Sequence, residues 1–273
     1  MAELRAKFRA NFRNDTGIFE DNTAYFSTEL ENLINTSFKK SWSVDTQINW
    51  DQEVVIPSGM DQQEYLDLVS QLYHSEVLTI HICSRLIHEV PDFQAKQFLC
   101  TQLADEARHA QAYSKYIDKI GKRTPIDPAM KKLYAKALKW NGSYIALIVA
   151  INVVLETESL QQQRKRIETL PCPIFREINQ NVIRDESRHA AFGSIYLKDK
   201  LSDLPLVERQ KILKWIGGLW KGWENANRGR YQTEAAAFLR TSQNELTQRH
   251  KNQMNRFKKI GLIKAEVKYA STF

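Results

Sequence analysis

Two short stretches hold the residues whose types and spacing invite chemistry: DEARHA at 105–110 and DESRHA at 185–190. In each, a Glu and a His stand three residues apart (Glu106 with His109, Glu186 with His189), which puts them on one face of a helix. A carboxylate beside an imidazole can ligate a metal, but a single such pair on a helix is usually surface decoration. The doubling changes the reading. Sliding the chain on itself, without gaps, until Asp105 meets Asp185 also lays Glu76 on Glu156, Ile87 on Ile167 and Pro91 on Pro171. The same shift superimposes both motifs and carries Ser114 and Tyr116 onto Ser194 and Tyr196, so two helical hairpins share one pattern.

Pro91 stands midway between Glu76 and Glu106, and Pro171 stands midway between Glu156 and Glu186, at the same spacing. At helical rise each carboxylate is about 22 Å from its turn, so the two acids of a hairpin stand level. Packing the hairpins together brings six groups to one height: Glu76, Glu106, His109, Glu156, Glu186 and His189. Four carboxylates and two imidazoles inside an apolar bundle are very costly unless cations compensate them. Two divalent ions cancel four carboxylates, and oxygen and imidazole donors without thiolate favour iron or manganese over zinc.

The elements that must position these groups can be read from caps and apolar spacing. Asp61 to Glu64 has capping-box form, and the helix it opens should reach Val90 and stop at Pro91. Asp92 is placed to cap the next helix, to about Ile120. Asp127-Pro128 opens a short helix, and a long one runs from about Ser143 to Thr169. Pro171-Cys172-Pro173 forces a turn, and further helices are expected at 174–200, 206–226 and 231–259. The first sixty residues read as an irregular wrap, with TQINWDQEVVIPSG extended. The expectation is an all-α chain forming a single domain over 1–273: a wrap at 1–60, a four-helix bundle at 61–200, and additional C-terminal helices at 201–273.

Composition sets the frame. At 42% hydrophobic and 26% charged residues the chain is globular. Cys83, Cys100 and Cys172 have no repeated short spacing, which argues against a zinc site or disulfide framework and for a reducing, cytoplasmic setting. The longest apolar run, YIALIVAINVVL, is too short to span a bilayer and is read as a buried helix, so no membrane association is expected. The opening MAELRAKFRANFRND lacks an apolar core and carries Glu3, which argues against a targeting segment. Much of the net charge of +7 lies in the last third, as in QRHKNQMNRFKK, with no accompanying nucleic-acid motif. Nucleic acid is therefore not expected; an acidic protein or carrier would suit this charge.

The six-group pattern, over roughly 61–200, resembles the ferritin-like di-iron carboxylate superfamily, in which a Glu from each of two helices and a Glu-x-x-His from each of two others hold two metals. The resemblance implies a ferritin-like bundle in which Glu76, Glu106 and His109 serve mainly one metal. Glu156, Glu186 and His189 would serve the other, with at least one bridging carboxylate. It further implies that Asp105 and Asp185 accept hydrogen bonds from the ligating histidines, crossed between hairpins, with Arg108 and Arg188 neutralising them. DEARHA and DESRHA are similar to the signatures of bacterial di-iron monooxygenases and N-oxygenases and, more distantly, of the ribonucleotide reductase small subunit. That similarity implies a pair of iron ions, or manganese with iron, and O2 as co-substrate. The reaction would be hydroxylation, N-oxygenation, desaturation or oxidative cleavage of a small organic or acidic-carrier-tethered substrate.

Beyond the metal ligands no separate catalytic acid or base is identifiable. Tyr113, four residues after His109, matches the radical tyrosine of the reductase subunit, the alternative reading; those proteins commonly carry Asp where this chain has Glu76. Iron storage fits least, since ferritins are shorter and usually lack two complete motifs. The extra histidine of arylamine N-oxygenases, one turn before the last motif Glu, is absent; Val182 stands there, which weakens a close match to them. With no flavin or nicotinamide motif and no cysteine cluster, an external ferredoxin or reductase is implied, and a homodimer is expected. Ile148, Ile151, Val154 and Leu155 are read as apolar walls, and Thr79, Cys83, Ile148 and Asn152 as pocket candidates. His74, His81 and His88 turn away from the Glu76 face, and Glu158 competes with Glu156 but breaks the symmetry of the repeat.

Overall fold

The computed structural model describes residues 22–264, apart from 203, 229–236, 238 and 239. It contains helices α1 (Thr28–Lys39), α2 (Gln62–Glu89), α3 (Phe93–Ile120), α4 (Pro128–Leu138), α5 (Tyr144–Thr169), α6 (Pro173–Lys200), α7 (Leu206–Arg228) and α8 (Gln243–Lys259). Among the described residues there is no strand, only an isolated bridge between Asn22 and Asp92. The fold is all-α, as the apolar spacing required.

Caps explain most of the boundaries. The side chains of Asp61, Asp127 and Ser143 accept hydrogen bonds from the backbone N–H groups of Glu64, Met130 and Ile145. Asp92 stands at the start of α3 but does not cap it. Its carboxylate instead takes hydrogen bonds from Asn22, the Tyr196 hydroxyl and Lys200, tying the chain entry and the end of α6 to the first turn. Two expectations are corrected. The wrap contains a helix, α1, capped by Ser27 and burying Leu30, Ile34 and Ser37. The last helix begins at Gln243 rather than 231, because Ser242 and Glu245 form a reciprocal capping box there. Positions 231–236, 238 and 239 of the expected helix lie outside the described residues.

The α2–α3 and α5–α6 hairpins are antiparallel, and their turns point to opposite ends of the bundle. One apolar core joins the end of α2 and start of α3 (Ile82, Leu86, Phe98) to the start of α5 and end of α6 (Ile148, Phe192, Leu197). The other joins Tyr65, Leu68, Leu72, Tyr113 and Tyr116 to Leu170, Phe175 and Ile178 around the second turn. Between these two cores lies the level of the motif acids. Helix α1 packs on α3 and α6 and covers that level from one side.

Helix α5 is long and apolar enough to cross a membrane, but 61% of its most apolar window is buried, as in the core helix of a bundle. Its Val149–Leu155 stretch is a π-helix, which sequence periodicity did not announce. Such widened turns are frequent at functional sites. This one ends at Glu156, so it leaves the arm from Glu156 to the turn regular and redirects the residues before it. Past the bundle, buried Arg209 joins the ends of α6 and α8 by donating to the carbonyls of Leu201, Ser202, Leu204 and Gly261.

Candidate metal centre

Glu76 on α2, Glu106 and His109 on α3, Glu156 on α5, and Glu186 and His189 on α6 converge between the two cores, and all six are buried. Their ligand atoms form two groups suited to a metal: Glu76, Glu106, His109 and Glu186, and Glu106, Glu156, Glu186 and His189. Glu106 and Glu186 belong to both groups.

The two imidazoles are held alike. His109 Nε2 is 3.0 Å from Asp185 Oδ2, and His189 Nε2 is 3.2 Å from Asp105 Oδ2, each partner coming from the opposite hairpin. An Nε2–H that donates to Asp leaves Nδ1 with its lone pair facing inward. His109 Nδ1 lies 3.5 Å from Glu106 Oε2 and 3.6 Å from Glu76 Oε2, is buried, and has no hydrogen-bond partner. His189 Nδ1 lies 3.0 Å from Glu186 Oε2 and 3.3 Å from Glu106 Oε1. Lone pairs turned toward carboxylate oxygens require positive charge between them, and the donor set therefore fits two metal ions.

The surrounding electrostatics show the same demand for positive charge, which a second proton on each imidazole meets where no metal does. Burial, reinforced by the neighbouring acids, pushes the Glu156 carboxyl well above the ordinary range; burial does the same to Glu76 despite its His109 contact. Burial also acts on Glu186, but hydrogen bonds from His189 and Glu156 bring it below the usual value. Burial works against His189, yet hydrogen bonds to Asp105 and Glu186 and the surrounding acids push it up to about 10. Asp185, though buried, is held low by its hydrogen bonds from His109 and Trp42 and by the Arg188 charge.

Outside the inner groups, Arg108 pairs with Asp105 at 2.8 Å and Asp185 at 3.4 Å; Arg188 pairs with Asp105 at 3.2 Å and closely with Asp185. Both arginines thus clamp both aspartates rather than decorating a solvated face. Trp42, from the wrap, donates to Asp185 Oδ2 at 2.7 Å and stacks on His109, with Arg108 over its ring. Nothing in the sequence marked Trp42, which lies 143 residues from its partner. Gln102 was also missed, although it lies one turn before Glu106 on the same face. It donates to Glu156 Oε1 at 2.8 Å and accepts from Asn152 Nδ2 at 2.8 Å, locking α3 to the π segment and to the first residue after it.

Other singled-out residues fall elsewhere. Thr79 returns its hydroxyl to Ser75 O at 3.0 Å; Cys83 and Ile148 are fully buried, and Asn152 serves Gln102 and His189 O. None of these four is among the residues lining the two cavities beside the centre. Tyr113 donates to Asn179 Oδ1 at 2.9 Å and accepts from Gln163 Nε2 at 3.1 Å. His74 contacts Thr124 O and His81 is exposed, away from the acids. The histidine side of the centre is closed by the Asp–Arg clamp. The Glu76 side opens on a cavity lined also by Tyr134, Leu155, Glu158 and Trp223.

The profile of the family described as p-aminobenzoate N-oxygenase AurF matches residues 75–259, which span all six motif residues. The Val182 difference therefore does not remove the chain from the N-oxygenase group; it is a departure at one position within it. Among curated proteins no match is found. Solved structures with the same fold include an R2-like ligand-binding oxidase with an aerobically reconstituted Mn/Fe cofactor, 16% identical, at a TM-score of 0.64, covering 86% of this chain and 94% of that one. A tyrosine-to-phenylalanine variant of an R2-like ligand-binding oxidase, anaerobically reconstituted, is 17% identical at a TM-score of 0.59, covering 88% and 87%. At such identity these likenesses speak for the fold.

Proposed function

The chain belongs to the family of p-aminobenzoate N-oxygenase AurF and is an O2-activating di-metal oxidoreductase; we propose that it transfers one oxygen atom from O2 to a nitrogen of a small, largely apolar substrate. The observation that carries this reading is the pair of inward-facing imidazole Nδ1 atoms among four buried carboxylates, beside a cavity that reaches Glu76. Glu76, Glu106 and His109 would hold one metal and Glu156, Glu186 and His189 the other, with Glu106 and Glu186 placed to bridge. The chemistry that an iron pair, or manganese with iron, supplies when bound is O2 reduction: one oxygen goes to the substrate, the other leaves as water, and two electrons and two protons are consumed.

The chain's own residues do the positioning. Asp185 and Asp105 fix the imidazole tautomers, and ion pairs to Arg108 and Arg188 hold both aspartates in place. Gln102 fixes the Glu156 carboxylate, and Ser159 donates to Glu186 Oε1 at 3.3 Å. Leu133, Leu155 and Trp223 give the cavity one apolar stretch of wall, and Gln162, Gln163 and Arg166 line it with polar groups. Electrons come from a separate reductant in the cytoplasm, and the exposed Lys251, Lys258 and Lys259 on α8 suit an acidic one.

Anaerobic titration of the metal-free protein with Fe(II) is expected to fill two sites per chain; reductant, O2 and an arylamine should then yield an N-oxidised product. A His109→Ala, His189→Ala double variant that keeps its helical circular dichroism is expected to hold neither iron tightly. Two tightly bound irons in that variant would overturn the ligand assignment. A lasting tyrosyl radical with no oxygenated product would overturn the reaction.

A further inference from the structure

Glu158 carries a buried carboxylate that the metal centre does not use. It follows Glu156 by two residues and therefore points off the ligand face, toward α7 and α8. The residue is 2% exposed. Its Oε2 accepts from Arg249 Nη1 at 3.2 Å, while its Oε1 is buried and has no hydrogen-bond partner. A buried acceptor without a donor is costly, and a ligand that brings a donor removes the cost.

The space around that oxygen is shaped for such a ligand. Glu158 lines the cavity that reaches Glu76 and also a second, more apolar pocket. Ile82, Ile151, Ile216, Trp220 and Trp223 wall this chamber, and Glu158 is the one charged residue among the described residues that line it. Helix α7 contributes the Ile216, Trp220 and Trp223 wall, so an element outside the four-helix bundle completes the chamber, while Arg249 of α8 holds the other oxygen of Glu158. Burial pushes the Glu158 carboxyl above the ordinary range, against the opposing charges of Arg249 and Arg256.

The internal repeat shows that the bundle does not require an acid here. The equivalent position in the first hairpin is Leu78, which packs against the apolar core. An ion pair with Arg249 would tether α8 equally well with both carboxylate oxygens engaged; leaving Oε1 open is what a tether does not explain.

We propose that Glu158 sets substrate specificity, its Oε1 accepting a hydrogen bond from an N–H or O–H group on an otherwise apolar, ring-sized substrate seated between the two tryptophans and the bundle. The identity of the reacting end, toward Glu76, rests on the oxygenase reading above; the preference for a donor at the chamber end does not need it.

The test is calorimetric titration of the metal-loaded protein with indole and with benzothiophene, ring systems of similar size of which only indole has an N–H. The wild type is expected to bind indole about tenfold more tightly or better, the scale of one buried hydrogen-bond partner gained or lost. Glu158→Gln keeps the volume and offers its carbonyl to Arg249, which turns an amide N–H toward the ligand. Its preference for indole is expected to fall below about threefold, with benzothiophene binding unchanged. Glu158→Leu, the residue at the twin position, is the second variant and should lose the preference likewise. Equal binding of the two probes by the wild type, binding of neither, or a preference retained in both variants overturns the proposal. Metal content and O2 consumption are read on the same samples. Lost discrimination with turnover intact counts against the anchor alone, and discrimination without bound metal counts against the oxygenase reading alone.

Discussion

The two hairpins repeat each other at the acids and histidines and differ almost everywhere those groups are supported. In the α2–α3 half both helices are regular; in the α5–α6 half α5 opens into a π segment immediately before Glu156. At the offset of the repeat Gln102 faces Val182, Tyr113 faces Gly193, and Leu72, Leu78, Cys83 and Leu99 face Asn152, Glu158, Gln163 and Asn179. At these positions the first half thus supplies Gln102 and Tyr113 and is otherwise apolar, while the second carries the polar side chains that receive them. The difference teaches that charge and distance at the centre fix the six groups in both halves. The flanking positions were free to separate into a supporting half and a half that shapes the pocket.

The crossed aspartates offer the largest way to break the comparison. Asp105→Asn and Asp185→Asn are each expected to weaken metal binding by about 10–100-fold, measured by competition with a chelator. The Asp185 variant should lie at the upper end, because Asp185 also receives the Trp42 indole N–H. Equal affinity in both variants and the wild type would mean that the imidazoles need no cross-hairpin support. Gly193 gives the next effect. A Cβ there would stand 2.7 Å from Asn152 Cβ and 3.1 Å from the Asn152 carbonyl carbon. Gly193→Ala should therefore cost about 2 kcal/mol in denaturant unfolding as α6 is pushed off the π segment. An unchanged midpoint would show that the asymmetry of α5 does not depend on this close approach. Gln102→Leu is expected to loosen Glu156 and lower metal affinity by only a few fold, roughly one neutral hydrogen bond.

What could be read from the sequence divides along the same line. The convergence of the six inner groups was legible because the repeat sets the same residue types in both halves, and the Pro91 and Pro171 midpoints converted spacing into height. The caps at Asp61, Asp127 and Ser143 gave helix starts for a local reason, a side-chain oxygen within three residues of the N–H it serves. Helix α1 had a cap in Ser27 and apolar residues at Leu30 and Ile34, but Ser37 on its buried face thinned the stripe. The π segment gave no sign, because Val149 to Val153 are buried throughout and an apolar run has no periodicity to shift. Arg249 was hidden in a basic run that otherwise faces solvent, and its partner Glu158 lies 91 residues away. Long-range partners of this kind are set by how the C-terminal helices dock, which no local pattern encodes. The family match across residues 75–259 likewise rests on the whole span, where the single Val182 position had argued otherwise.

Tyr113 sharpens the comparison most finely, since the twin position is a glycine and the repeat gives the phenol no counterpart. Its hydroxyl joins Asn179 on α6 to Gln163 on α5, and burial pushes its pKa far above the ordinary tyrosine value. A neutral phenol that both donates and accepts is satisfied as a bridge between the helices of the opposite hairpin. Tyr113→Phe is therefore expected to cost about 1 kcal/mol in unfolding. It should leave both metals and the rate of O2 consumption per metal pair unchanged. The opposite pattern, full stability and metal content with O2 chemistry abolished and a radical signal lost, would assign Tyr113 an electron-transfer role. The supporting half would then hold the reactive side chain, and the division of labour between the hairpins would have to be drawn the other way.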